Sequence, residues 1–220
     1  ALIIGFGVNP VIAVATDLVY AFVTKSSAAF VHSKAGSVDW VAVRKLWKGS
    51  IPGVFLGVLF VVFLLGAEVW LISLFLAFLI LLTGISMLRP GRGSSLRWMG
   101  SRRVALSGGF IGFAVATTSV GAGALGITVI RQLMGDRDPR RLVATDIVHA
   151  IPIAFLGGAS YSLAGLLDWV ILGLLLLGSI PGAILGSLVA QTIDAMYLKK
   201  ILGAVLVIAA IGLLLNLAGL

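Results

Sequence analysis

Residues 9–57 read NPVIAVATDLVYAFVTKSSAAFVHSKAGSVDWVAVRKLWKGSIPGVFLG, and residues 138–186 read DPRRLVATDIVHAIPIAFLGGASYSLAGLLDWVILGLLLLGSIPGAILG. Laid over one another at a constant shift of 129, without a gap, they agree at 21 of 49 positions. Val14-Ala15-Thr16-Asp17 falls on Val143-Ala144-Thr145-Asp146, Asp39-Trp40 on Asp168-Trp169, and Gly49-Ser50-Ile51-Pro52-Gly53 on Gly178-Ser179-Ile180-Pro181-Gly182. That is too much agreement for two unrelated apolar stretches. The chain is a duplication, and duplicated halves in a very apolar protein point to a site at the interface between them.

The surrounding composition sets the solvent. The chain is 60% hydrophobic and 11% charged, too little polar surface for a water-soluble domain. Apolar stretches of bilayer length recur without the two-residue alternation of a β-barrel, so the expected class is an all-α polytopic membrane protein. Six spans are read at 10–34, 39–65, 67–88, 138–163, 167–191 and 194–219. The basic residues behind the net charge of +8 gather, Lys25 apart, in the short stretches between these spans and toward span ends, which is the membrane-orientation pattern and not a nucleic-acid surface. There are no cysteines and two histidines, so no disulfide, metal site or cofactor is expected.

Residues 104–135 break the pattern. Thr117, Thr118, Ser119, Gly121 and Gly123 cluster at the centre of an apolar stretch, where a lipid-facing helix gains nothing from them. A re-entrant hairpin with its tip near the midplane does. Arg89, Arg92, Arg97, Arg102 and Arg103 precede this stretch, and Arg131, Arg137, Arg140 and Arg141 follow it. Both flanks read as cytoplasmic, so the segment enters and leaves on one side. Lys34, Arg44, Lys45, Lys48, Lys199 and Lys200 then lie inside, while Glu68 and Asp168 lie outside. Asp39 and its copy Asp168 fall on opposite sides, which makes the repeats inverted. The competing reading, a plain spanning helix with parallel repeats, leaves one Arg-rich loop outside.

The expected organisation is a first repeat over 1–88, a basic cytoplasmic linker over 89–103 and a second repeat over 104–220. Each repeat is a glycine-rich hairpin or broken helix followed by three transmembrane helices. The chain starts at Ala1, partway through the pattern of the second half. The counterpart of 104–129 would precede it, so the first hairpin is expected to be largely missing from this sequence.

Several polar residues inside the spans are site candidates. Thr16-Asp17 and Thr145-Asp146 lie about two turns inside their helices. Two readings stand for the aspartates: hydrogen bonding to a neighbouring helix, or proton coupling. His149 follows Asp146 by three residues, on the same helical face, and makes a proton relay conceivable in the second half only, since Tyr20 is its counterpart. Lys25 has Ala154 as counterpart. It either snorkels to the interface or, the favoured reading, faces a cavity that holds an anion. The hydroxyls and free N–H groups of Thr117, Thr118, Ser119, Gly121 and Gly123, with Thr16 and Thr145, complete a small-anion site. Gly49, Gly53 and Gly57, and Gly178, Gly182 and Gly186, are read as helix-packing surfaces between the repeats.

The paired order of these motifs, a Val-Ala-Thr-Asp helix, then Asp39-Trp40 or Asp168-Trp169, then the Gly-Ser-Ile-Pro-Gly helix, resembles the sulfite exporter TauE/SafE family over nearly the whole chain. The resemblance implies export of sulfite or a small organosulfonate across the bacterial inner membrane by a multi-pass secondary transporter. Its partners would be that anion, the lipid bilayer and, for a gradient-driven cycle, a coupling proton, and no nucleic acid. A passive small-anion channel is the alternative. An intramembrane enzyme using Ser119 and His149 is disfavoured, because no nucleophile-elbow context surrounds the serine.

Overall fold

Five of the six expected spans coincide with helices, and the sixth, 167–191, is helical over residues 169–179, with 180–191 outside the described residues. The computed structural model describes residues 2–33, 38–65, 69–88, 101–119, 126, 129–130, 139–179 and 195–218. Among these, all regular structure is helical. In chain order the helices are α1 (Leu2–Phe6), α2 (Pro10–Ser33), α3 (Trp40–Leu59), α4 (Val69–Leu88), α5 (Ser101–Thr118), α6 (Pro139–Leu163), α7 (Trp169–Ser179) and α8 (Ala195–Leu217). Trp40–Phe63 and Arg141–Leu163 are each long and apolar enough to cross a membrane. The Arg-rich loop at 89–100, the loop at 131–138, Gly182 and Gly186 lie outside the described residues.

Local chemistry sets the helix starts. Asn9 Oδ1 accepts from Val11 N–H at 2.9 Å, with Pro10 in the first turn. Asp39 Oδ1 accepts from Val41 N–H at 3.1 Å and Ala42 N–H at 3.0 Å. Asp168 repeats this for α7, accepting from Val170 and Ile171 N–H, both at 2.9 Å. Helix α6 closes on Gly165, whose φ of +73° suits glycine, with Leu166 N–H bonded to Tyr161 O at 3.0 Å. One local feature had no sequence signal. Helix α3 runs into a π-helical turn at Phe60–Leu65, where the Phe60 ring meets Phe75 of α4 at 5.6 Å and Phe113 of α5 at 5.4 Å.

Packing joins the two halves. On α2 and α6, Leu18 lies against Gly157, Val19 against Gly158 and Phe22 against Phe155, while Ala29 clusters with Ala144 and Val148. Rising numbers on one helix meet falling numbers on the other, so α2 and α6 run antiparallel. Helices α4 and α8 do the same: Gly84 meets Val207, Leu88 meets Gly203, and Leu76 and Ala77 share a cluster with Ala210 and Leu213. Helices α3 and α5 run parallel and nearly backbone to backbone. Gly49 faces Ala105 O, Gly53 faces Gly109 O, and a β-carbon on Gly57 would lie 2.9 Å from Phe113 O. The small-residue stripe is therefore a contact between the first half and the second.

Ile130 packs in one cluster with Val104, Leu46 and Leu142, and Val104 lies near the start of α5.

Candidate functional site

The site is built where α5 stops. Thr117 Oγ1 donates back to Phe113 O at 2.9 Å, and Thr118 Oγ1 to Ala114 O at 2.7 Å, which leaves both hydroxyl protons on the helix's own carbonyls. Buried Tyr161 of α6 donates its O–H to Ala116 O at 2.8 Å and fixes the last turn. Ser119 then takes φ 58°, the left-handed region and, among the described residues, the sole positive value outside glycine. That turn aims its hydroxyl at Asp17 of α2, and Ser119 Oγ donates to Asp17 Oδ2. Gly121 and Gly123 lie outside the described residues.

The second carboxylate reaches the same segment from the other half. Asp146 of α6 is 3% exposed, and its Oδ1 lies so close to Gly126 that a β-carbon there has no room. Thus Asp17 meets one end of the 119–126 segment and Asp146 the other. Lys25 of α2 is partly buried and lies within electrostatic reach of Asp17, Asp146 and His149. The structure brings Lys25, Asp17, Ser119, Asp146 and His149 into one region.

Thr16 and Thr145 are wholly buried and face the helix starts of opposite halves. Thr145 Oγ1 accepts from Asp39 N–H at 3.0 Å and donates to Arg141 O at 2.6 Å. Thr16 Oγ1 accepts from Asp168 N–H at 3.3 Å. The two bonds are the same bond under the shift of 129, with the halves exchanged.

Sequence reading did not pair Ser50 with His149. His149 Nε2 lies 3.1 Å from Ser50 Oγ, and Trp47 Nε1–H donates to His149 O at 3.1 Å. The alignment of the halves marks Ser50 as a repeated residue, but repetition alone does not say which neighbour it meets. No cluster of three or more metal-ligating side chains exists among the described residues. The arrangement has one buried and one partly buried carboxylate, a lysine and a hydroxyl-bearing turn inside an apolar helical body, a combination suited to handling small ions.

The sequence profile of the family "Sulfite exporter TauE/SafE" matches residues 1–213. The "Probable membrane transporter protein YjnA" of Bacillus subtilis (strain 168) is 30% identical over 227 residues, covering 97% of this chain and 89% of that protein. No solved structure matches the chain.

Proposed function

The chain belongs to the sulfite exporter TauE/SafE family, and from that premise we propose that it is a multi-pass secondary transporter exporting a small sulfur oxyanion or organosulfonate, sulfite first among them, across the bacterial inner membrane. Membership makes it a membrane transporter.

The carrying observation is that Asp17 and Asp146, equivalent residues of the two halves, contact opposite ends of the same segment. A transporter that alternates its access needs one site shared by two moving halves, near the middle of the bilayer. The antiparallel pairs α2–α6 and α4–α8, and the exchanged Thr145–Asp39 and Thr16–Asp168 bonds, support inverted repeats divided at 1–88, 89–103 and 104–220. A helix and its copy related by a twofold axis in the membrane plane point in opposite directions. The packing of Ile130 on Val104 supports re-entry of the hairpin.

In this reading Lys25 supplies the charge for the anion. Ser119, Gly121 and Gly123, carried on the Thr117-Thr118 turn, supply hydrogen-bond donors and room for close approach. Thr16 and Thr145 hold the walls in register. Asp17, Asp146 and His149 carry the coupling proton.

The test is flux of labelled sulfite in proteoliposomes, with sulfate, thiosulfate and taurine as competitors. The expected result is saturable sulfite movement that builds a concentration gradient under an imposed pH difference. Flux that only equalises concentrations would replace the transporter with a channel, and no flux above empty liposomes would remove sulfite as the substrate.

A further inference from the structure

Ser50 is bonded in a way that fixes His149. The serine hydroxyl has one proton, and its Oγ lies 3.0 Å from Leu46 O, one turn back on α3, where that proton is spent. The serine oxygen is left to accept, so the His149 Nε2 at 3.1 Å carries the hydrogen. A neutral imidazole has a single N–H, and Nδ1 is therefore a bare acceptor. His149 is 0% exposed and Asp146 is 3% exposed. Neither His149 Nδ1 nor Asp146 Oδ1 has a hydrogen-bond partner among the described residues. Two buried acceptors one turn apart on the same helix face, with no donor supplied, form a costly pair.

We propose that Asp146 and His149 together seat the transported proton, and that Ser50 is the positioning residue that leaves Nδ1 open to receive it. The proposal rests on the reading of the protein as an ion-coupled transporter and names the coupling ion as H⁺. In the step itself, water on one side gives up H⁺ and the Nδ1 lone pair forms a new N–H bond. The resulting imidazolium lies one helical turn from the Asp146 carboxylate. On the other side that N–H bond breaks, its electron pair stays on nitrogen and H⁺ returns to water, so charge and atoms balance without an electron donor.

The surroundings come from every packed element. Helix α2 contributes Lys25, within electrostatic reach of Asp146 and His149, and Asp17, which Lys25 also reaches. Helix α3 contributes Ser50 and Trp47, whose indole N–H is already bonded to His149 O. Arg44, Lys45 and Lys48 of α3, and Arg102 and Arg103 of α5, are exposed. The turn after α5 contributes Ser119, engaged by Asp17, and Gly126 against Asp146. On α6 itself Arg141 has a buried Nε with no partner among the described residues. Tyr20 stands at the equivalent position of the first half, so the pair occurs once in the chain.

The test is ¹⁵N-histidine NMR of the whole chain in lipid nanodiscs. The chain has two histidines, so His32→Gln assigns the His149 signals. The expected spectrum near neutral pH shows a protonated Nε2 and a bare Nδ1, with Nδ1 gaining a proton on acidification. Ser50→Ala should change the tautomer ratio by about fivefold, the worth of one neutral hydrogen bond. Asp146→Asn should suppress the acid-induced change, because the carboxylate that stabilises the imidazolium is gone. A wild-type Nδ1–H tautomer, or a folded Ser50→Ala protein with an unchanged ratio, overturns the proposal. If Ser50→Ala does not fold, the wild-type tautomer and Asp146→Asn decide it. The spectra do not depend on sulfite: a protein with the expected tautomer that moves no sulfite refutes the substrate and leaves the proton seat standing.

Discussion

Thr145 sits in an apolar interior where its hydroxyl must find both an acceptor and a donor, and it finds them in Arg141 O and Asp39 N–H. Thr145→Val keeps the shape and removes both bonds, leaving the Asp39 N–H at a helix start without an acceptor. We expect a loss of about 1–3 kcal/mol, read as a lower unfolding midpoint in detergent, with Thr145→Ser losing less. Thr16→Val should cost less than Thr145→Val, since its bond is longer at 3.3 Å. Lys25 belongs to the same scale. If its ammonium draws the anion, Lys25→Ala weakens sulfite binding to the folded protein roughly tenfold or more, the change expected for losing a charge-assisted hydrogen bond. Lys25→Arg keeps the charge but alters its shape and hydration. Wild-type affinity in Lys25→Ala, measured by equilibrium binding, would return Lys25 to an interfacial role. The sequence marked Asp17, Ser119, Asp146 and His149 as unusual because each is costly inside an apolar span. It held no information on who meets whom, because the Ser119–Asp17 and Ser50–His149 contacts join helices about 100 residues apart.

At the level of elements, the glycine stripe on α3 is an arrangement with no spare volume. Gly53 lies on Gly109 O with no space for a β-carbon, whereas Gly173 on α7 has nothing among the described residues within 4 Å of where one would go. Gly53→Leu should abolish folded protein by forcing α3 and α5 apart, and Gly173→Leu should be tolerated. Size-exclusion profiles and thermal stability of the two variants check this, and equal behaviour would contradict the packing. This stripe was legible, because spacing of four places small residues on one helix face whatever the fold. The caps at Asn9, Asp39 and Asp168 are local in a similar way: a capping side chain acts on its own neighbours. The π-helical turn at Phe60–Leu65 was not, since FVVFLL contains no proline or glycine and the turn is met by aromatic rings from α4 and α5.

For the whole molecule, the duplication is legible in the residues themselves, because a shift of 129 carries caps, carboxylates and glycines onto their copies. What the shift alone could not give is the direction in which the copies face. Charge placement argued for opposite directions, and the antiparallel runs of α2 on α6 and α4 on α8 argue for them independently. If two opposed halves meet on one hairpin tip, the sidedness of the loops around it follows. The chain has no native cysteine, so single cysteines at Ser95, Asp136 and Leu166 can be labelled with a membrane-impermeant reagent in oriented vesicles. Ser95 and Asp136 should react from the cytoplasmic face and Leu166 from the outer face. Labelling of Ser95 and Asp136 from opposite faces would make residues 104–135 a spanning helix and contradict the inverted arrangement.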